Sequence, residues 1–219
     1  MKLSIFTVVR NEEKYMQRMF DNLKGLGDEF VVVDQESEDK TITIARENGA
    51  SIYKVPCVGY CEAYYEFAKT KCSNPWILLV FPDEVWNQKT IEFIRKITTL
   101  ETSEKCVYAF LRKEFMDDCE IAISDLNYQL RLGRKDNAEF CDLIHTSFMR
   151  PYKIIKCNDM FFEHRKTRVD QDLDETRFAN TYKMLILKYR YSKLPWVKSF
   201  VDGYKRVIKD FAARGITWD

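Results

Sequence analysis

The first hundred residues switch repeatedly between two hydrophobic patterns. Residues 2–9 (KLSIFTVV) form a short, β-branched apolar run that predicts a strand. From Glu12 to Leu26, the residues Tyr15, Met16, Met19, Phe20 and Leu23 fall near 3.6-residue spacing, which predicts a helix stopped by Gly25 and Gly27. Phe30–Val33 is a fully apolar strand ending at Asp34. Ser37–Asn48 reads as a second helix, capped by Ser37 or Asp39 and closed by Gly49. Ala50–Val55, Tyr60–Lys71, Pro75–Phe81 and Gln88–Thr98 continue the series as strand, helix, strand and helix.

These strands are continuous apolar runs rather than alternating ones. That pattern belongs to a parallel sheet covered on both faces, an α/β fold. Ligands of such sheets bind beyond the carboxyl ends of the strands. The residues expected there are Arg10-Asn11, Asp34-Gln35-Glu36-Ser37 and Asp83-Glu84, all polar or ionic.

The second half reads differently. Cys106–Arg112 and Tyr128–Leu132 look like strands without a clean helix between them, and Phe161–Arg165 like a further short strand. From Asp172 the chain reads helical, over Leu173–Arg190 and Trp196–Arg214 with Pro195 between. No linker or repeat divides the chain. The expectation is one domain over 1–219, with a ligand-binding half (1–98), a completing half (99–170) and a basic helical tail (171–219).

Composition removes several classes. With 7 glycines and 5 prolines in 219 residues, collagen-like and linker-rich chains are excluded. No stretch approaches 18 uncharged apolar residues, so no membrane span is expected. MKLSIFTVVRNEE does not read as a signal peptide. The 7 cysteines are scattered without a C-x-x-C, which argues against a zinc cluster or a disulfide framework and for a reducing, cytoplasmic setting.

Net charge is +1 but unevenly spread: residues 150–219 carry +7 and the remainder −6. The tail also holds aromatics among its bases (Tyr189, Arg190, Tyr191, Lys193, Trp196, Lys198). It reads either as core-packing helices or as an interfacial amphipathic segment making peripheral membrane contact. The acidic body argues against a nucleic-acid partner.

No G-x-G-x-x-G, Walker A or G-x-S-x-G is present; the first strand ends in Val9-Arg10-Asn11-Glu12. What is present is the series TVVRNEE (7–13), DEFVVVDQESEDKT (28–41) and WILLVFPDE (76–84). This series resembles the GT-A nucleotide-sugar glycosyltransferases, family 2 in particular, with matching spacing over roughly the first 90 residues. Looser matches follow at YQLRLGRKD (128–136), LIHT (143–146) and FFEHRK (161–166).

The resemblance implies a GT-A (Rossmann-like), mostly parallel sheet flanked by helices, and transfer of a hexose or deoxyhexose from a nucleoside-diphosphate sugar, UDP-linked, to a glycan or glycolipid hydroxyl. It implies Thr7, Val9, Arg10, Asp34 and Gln35 at the nucleotide sugar. Asp83 would serve both donor and metal, His164 would be a second ligand, and the metal would be Mn²⁺ or Mg²⁺. Physical chemistry agrees: a departing diphosphate needs a cation on its oxygens.

An inverting transfer also needs a general base for the acceptor hydroxyl. The candidates are Asp142, Glu139 and His145, with Asp142 and His145 carried forward. One departure stands out. The family pattern has two aspartates around one residue, and here the first position is Phe81 and the middle one Pro82. That substitution keeps a catalytically degenerate, sugar-nucleotide-binding module open as the alternative. A sugar nucleotidyltransferase ranks lower, because no glycine-rich loop follows the first strand.

Overall fold

The computed structural model describes residues 2–100, 106–121, 127–140, 143, 148–149 and 153–213. Strands β1 (Leu3–Val9), β2 (Glu29–Asp34), β3 (Ser51–Lys54) and β4 (Trp76–Leu79) are parallel and lie in the order β3-β2-β1-β4. Helices α1 (Glu13–Asn22), α2 (Thr41–Glu47), α3 (Tyr65–Lys71) and α4 (Gln88–Thr99) alternate with them.

All seven residues of β1 are buried, which explains the unbroken apolar run. Leu3, Ile5 and Val9 pack into one layer with Met16, Met19 and Phe20 of α1. Phe6 and Val8 pack into the other with Tyr65 and Ala68 of α3. Each such side chain contributes roughly 1.5–3 kcal/mol by leaving water, so this double-sided burial dominates the first half. Gly49, at φ +74, ends the segment after α2 in the left-handed conformation that its sequence position predicts.

Beyond β4 the sheet becomes mixed. The remaining strands are β5 (Glu84–Trp86), β6 (Val107–Met116), β7 (Cys119–Ile121), β8 (Tyr128–Arg134), β9 (Glu139–Phe140), β10 (Phe148–Met149) and β11 (Ile154–Lys166). Among the described residues the main sheet runs β3-β2-β1-β4-β8-β6-β11-β5, with β7 added to β6 and a separate β9–β10 pair. β8 is antiparallel to both β4 and β6, β6 is parallel to β11, and β5 is antiparallel to β11. The expected α/β fold with a helix-flanked sheet is therefore present, with antiparallel strands grafted onto its parallel half.

The strand expected at Phe161–Arg165 is the end of the 13-residue β11. Its first part alternates with exposed polar residues, which hides it from an apolar-run reading. β5 is missed outright, because a three-residue strand that starts at Glu84, directly after Pro82-Asp83, reads as a turn.

Two helices close the chain, α5 (Arg168–Tyr189) and α6 (Pro195–Ala213). Tyr182 and Leu185 of α5 pack against Val197, Val201 and Tyr204 of α6, and Tyr60 joins the same cluster. The Tyr182 and Tyr204 rings stack at 4.9 Å.

α5 begins with a capping box. The Thr167 hydroxyl accepts from the Asp170 N–H at 3.3 Å, and the Asp170 carboxylate accepts from the Thr167 N–H at 3.1 Å. The same carboxylate accepts from Lys14 at 2.8 Å and from the Tyr15 hydroxyl, tying α5 to α1. Burial pushes the Asp170 carboxyl up, but the hydrogen bonds from Lys14, Thr167 and Tyr15 together hold it well below the usual carboxylate range.

Thr167→Ala is expected to lower stability by about 1 kcal/mol, a melting shift of roughly 2–4 °C at this size. Asp170→Asn removes a carboxylate whose folded pKa is depressed. Its deficit is expected to be full above the ordinary aspartate pKa, about 4. The deficit should shrink as pH falls through the depressed value, because both proteins then carry a neutral side chain. Thermal melts of the two proteins between pH 7 and pH 2 check both the size and the sign.

Candidate active site

The loops after β1 and β2 are built against each other at the carboxyl edge of the sheet. Asn11 and Glu36, one just beyond each strand, both hold left-handed backbone (φ 53 and 57), an uncommon state for non-glycine residues. The Asn11 N–H donates to the Ser37 hydroxyl at 2.9 Å, and the Asn11 side chain accepts from the Glu38 N–H at 2.8 Å. Thr41 and Asp39 accept the N–H groups of Glu12 and Glu13, the otherwise orphaned donors at the start of α1. Asp39 also accepts from the Thr41 N–H at 2.9 Å, but the N-cap of α2 is Lys40 with no side-chain cap, so the cap expected from Ser37 or Asp39 does not form, and Ser37 serves the neighbouring loop instead.

Asp34 and Thr7 share one face of the sheet, since Asp34 pairs in register with Val9, two residues beyond Thr7. Both are buried. The Asp34 carboxylate accepts from the Ser37 N–H at 3.2 Å, closing the loop and leaving acceptor capacity for further donors. The Thr7 hydroxyl oxygen is buried with no hydrogen-bond partner among the described residues. Val9 turns its side chain into the core, so only its backbone reaches the edge, where its carbonyl accepts from the Gln35 N–H at 2.9 Å.

Gln35 is committed to the loop that precedes α3. Its amide oxygen accepts from the Val58 N–H at 3.1 Å, and its amide nitrogen donates to the Tyr60 carbonyl at 3.2 Å. Arg10 contacts the Cys57 sulfur in that same loop. Gly59 sits there at φ +86, and a Cβ on it would meet the Thr181 hydroxyl of α5 at 3.3 Å. The loop is thus held between the edge of the parallel strands and the C-terminal helices.

Asp83 follows β4, and strand register brings His164 to it. On β11, His164 pairs with Glu84 of β5 on one side and with Glu114 of β6 on the other. His164 Nε2 lies 3.0 Å from Asp83 Oδ2, and His164 Nδ1 lies 2.5 Å from Glu114 Oε2. Lys166, two residues on and on the same strand face, places Nζ 3.4 Å from the same Asp83 oxygen.

Burial alone would raise the Asp83 carboxyl, but His164 and Lys166 hold it well below the usual range. Burial would likewise lower His164, and the two carboxylates instead raise it to about 9. Glu114 is pulled below its ordinary value by His164 and Arg112, against the upward push of burial.

Asp83 and His164 are the described residues that could hold a divalent cation. Among the described residues no three metal-ligating side chains converge, so the described residues would supply two donors. Their 3.0 Å separation is that of a charge-assisted hydrogen bond, and a cation bound there would replace the proton that His164, raised to about 9, carries at neutral pH. Glu114 on the far ring nitrogen is the outer carboxylate that fixes a ligating histidine in place. The donor set fits a hard cation that takes its remaining ligands from phosphate and water.

Residues 4–159 match the sequence profile described as glycosyl transferase family 2. The chain belongs to that family. Among curated proteins it is similar to uncharacterized glycosyltransferases of Rickettsia typhi and Rickettsia prowazekii, each 27% identical over 193 residues that cover 82% of this chain. The chain spans 66% of the length of those relatives.

Among solved structures it is similar to Staphylococcus aureus TarS residues 1–349 in complex with UDP-GlcNAc. The TM-score is 0.58 at 16% identity, over 97% of this chain and 72% of that one. It is also similar to glucosyl-3-phosphoglycerate synthase from Mycobacterium tuberculosis in complex with phosphoglyceric acid, at TM-score 0.50 and 15% identity, over 81% and 78% of the two chains. At those identities the likeness establishes the GT-A fold.

Within this family member the sequence-derived residues fall into two groups. Thr7, Arg10, Asp34 and Gln35 gather at the ends of β1 and β2, and Asp83 and His164 meet across β5 and β11. Asp142 and His145 lie outside the described residues, while Glu139 is exposed in β9.

Sequence reasoning missed Glu114 and Lys166. Lys166 was findable, because the two-residue period of a strand puts it beside His164 in EHRK. Glu114 was not, because its pairing depends on a register between strands some 50 residues apart. Phe81, at the position of the missing aspartate, packs on Tyr65 at 6.4 Å and under the Arg131 guanidinium at 4.9 Å.

Proposed function

We propose that this chain binds a nucleoside-diphosphate sugar, UDP-linked, along the carboxyl edge of β1, β2 and β4, and transfers its hexose or deoxyhexose to a hydroxyl of a glycan or glycolipid. The observation that carries this reading is the Asp83–His164–Glu114 chain beside a strand edge with a buried, unpartnered Thr7 hydroxyl and an Asp34 carboxylate with spare acceptor capacity.

In this reading Thr7, Arg10 and Asp34 bind the nucleoside, Asp34 accepting from base N–H or ribose hydroxyls. Asp83 and His164 hold a divalent cation, Mn²⁺ or Mg²⁺, and Glu114 orients His164. The cation, when bound, neutralises charge on the departing diphosphate. Lys166 adds a fixed positive charge within reach of the same oxygens. Asp142 or His145 takes the proton from the acceptor hydroxyl as its oxygen bonds to the sugar carbon and the diphosphate oxygen leaves. Family membership and the GT-A fold support the donor class.

A thermal-shift panel tests the reading. UDP-, GDP-, dTDP- and CMP-sugars are each added with Mn²⁺, Mg²⁺ or EDTA. A ligand at 100 times its Kd adds about 2.7 kcal/mol, a rise of roughly 5–10 °C at this size. The expected result is a rise with UDP-sugars, larger with metal than with EDTA and reduced in Asp34→Ala. No rise with any nucleotide sugar overturns the donor assignment. A rise without any UDP release on prolonged incubation with acceptors moves the reading to the degenerate binding module that Phe81 brings into view.

A further inference from the structure

The hairpin of α5 and α6 has an outer surface that the core does not explain. On α5, Tyr182 and Leu185 face inward, and a surface helix ordinarily turns polar residues outward on the opposite side. Here the outward stripe is apolar: Met184 and Leu187 stand about one turn apart on α5, and Tyr191 and Leu194 continue it through the turn into α6. Leu187, Tyr191 and Leu194 are 61%, 81% and 54% exposed. Arg190, Lys193 and Lys198 are exposed around them. The Arg190 guanidinium lies over the Tyr191 ring at 4.8 Å. Residues 176–201 contain 6 Lys and Arg and no Asp or Glu, although the body of the chain is acidic.

We propose that the tip of the α5–α6 hairpin docks on an anionic lipid bilayer, with Leu187, Tyr191 and Leu194 entering the headgroup region and Arg190, Lys193 and Lys198 meeting lipid phosphates. The two halves of the observation select this partner together. An anionic polymer such as RNA would use the bases but has no use for exposed leucines. An acidic protein groove would accept both, but the complete absence of acids over 26 residues matches a surface that is negative everywhere. Long basic side chains beside an apolar stripe place their charged ends at the interface while their stems cover apolar surface. The hairpin also packs on the 56–61 loop through Tyr60. Docking there would bring the carboxyl edge of the sheet toward the membrane, where a glycolipid acceptor would lie.

Vesicle co-sedimentation of the full chain, with no donor or acceptor present, tests the surface independently of any transferase activity. Vesicles of phosphatidylcholine alone are compared with vesicles in which a third of the lipid is phosphatidylglycerol. The expected result is at least tenfold stronger partitioning to the anionic vesicles, lost at high salt. One basic residue near an anionic surface is worth roughly a fivefold gain. The Arg190→Glu/Lys193→Glu double variant should therefore lower partitioning more than tenfold, and Leu187→Ser/Leu194→Ser should do likewise. All four residues are exposed, so unchanged melting temperatures are expected to show that the variants are folded. Equal binding to both vesicle types, or binding that neither variant reduces, overturns the proposal. So does a concentration-dependent dimer, seen by light scattering, that Leu187→Ser/Leu194→Ser dissolves, because the stripe would then be a self-association face.

Discussion

Asp83→Asn is expected to lower UDP release from the donor sugar by 10²- to 10³-fold. The size follows from what the carboxylate does. It meets His164 Nε2 at 3.0 Å and Lys166 Nζ at 3.4 Å, and it sits at the end of β4 where a diphosphate would lie. Removing one preorganised charge-stabilising group from a water-poor site costs about 2.7–4 kcal/mol of transition-state stabilisation. The amide keeps the shape of the carboxylate and can still accept a hydrogen bond from His164. The Asp83 carbonyl keeps its bond from the Arg165 N–H at 2.9 Å, so the β5–β11 edge survives. A melting temperature within several degrees of wild type is therefore expected alongside the lost turnover.

The kinetic signature separates roles. If Asp83 acts on the leaving diphosphate, kcat falls much more than KM rises, and added metal does not rescue it. Glu114→Gln serves as the comparison. It leaves Asp83 and His164 in place but weakens the charge behind the ring, so a loss of about tenfold is expected, together with weaker metal binding by calorimetry. Turnover within fivefold of wild type in Asp83→Asn would remove Asp83 from the chemistry.

How legible this was in the sequence differs between the two halves of the chain. β1, β2 and β4 are buried on both faces, so their apolar runs are unbroken and their polar ends stand out. Arg10, Asp34 and Asp83 could be located from that alone. The second half depends on register. β11 pairs with β6 on one side and β5 on the other, and no local pattern reveals that Glu114, His164 and Asp83 will meet. His164 was reached only through family resemblance. The tail was legible in composition but not in orientation: its aromatics divide between a buried set with Tyr182 and Tyr204 on the helices and an exposed Tyr191 in the turn between them, and only the packing of the hairpin separates them.

Arg131→Met is expected to produce the largest loss of stability, about 3–5 kcal/mol, or a melting temperature lower by roughly 10 °C. Arg131 Nη2 donates to Glu84 Oε1 at 2.7 Å, and the side chains are 4% and 1% exposed. The guanidinium also lies over the rings of Phe81 at 4.9 Å and Phe162 at 5.2 Å. It sits where β8 shifts register against β6, between Leu130 and Leu132, so the irregularity turns a charged residue into the interior. The other Glu84 oxygen accepts from the Phe81 N–H at 3.1 Å and so braces the Phe81-Pro82-Asp83 turn that presents Asp83.

Truncating the arginine leaves Glu84 buried without its ion-pair partner, with only the weaker pull of His164 to oppose its burial and the Asp83 charge. Even in the intact protein, burial pushes the Glu84 carboxyl up against the pull of Arg131. Without Arg131 it rises further. The folded state then binds a proton more readily than the unfolded state, so the deficit is greatest at neutral and high pH and shrinks as pH is lowered toward the ordinary glutamate value. The deficit of Asp170→Asn also narrows in acid, but there because a stabilising carboxylate is lost from the wild type, and here because a destabilising one is neutralised in the variant.

The double variant Glu84→Gln/Arg131→Met separates a lost attraction from an orphaned charge. The amide introduced at position 84 would still accept from the Phe81 N–H, and methionine fills much of the space between the two rings. Most of the stability is expected to return, because replacing both members of a buried pair is far less costly than breaking it. Urea unfolding of the wild type, the single variant and the double variant measures this directly. If the double variant is as unstable as Arg131→Met, the arginine stabilises through its packing between Phe81 and Phe162 and not through Glu84.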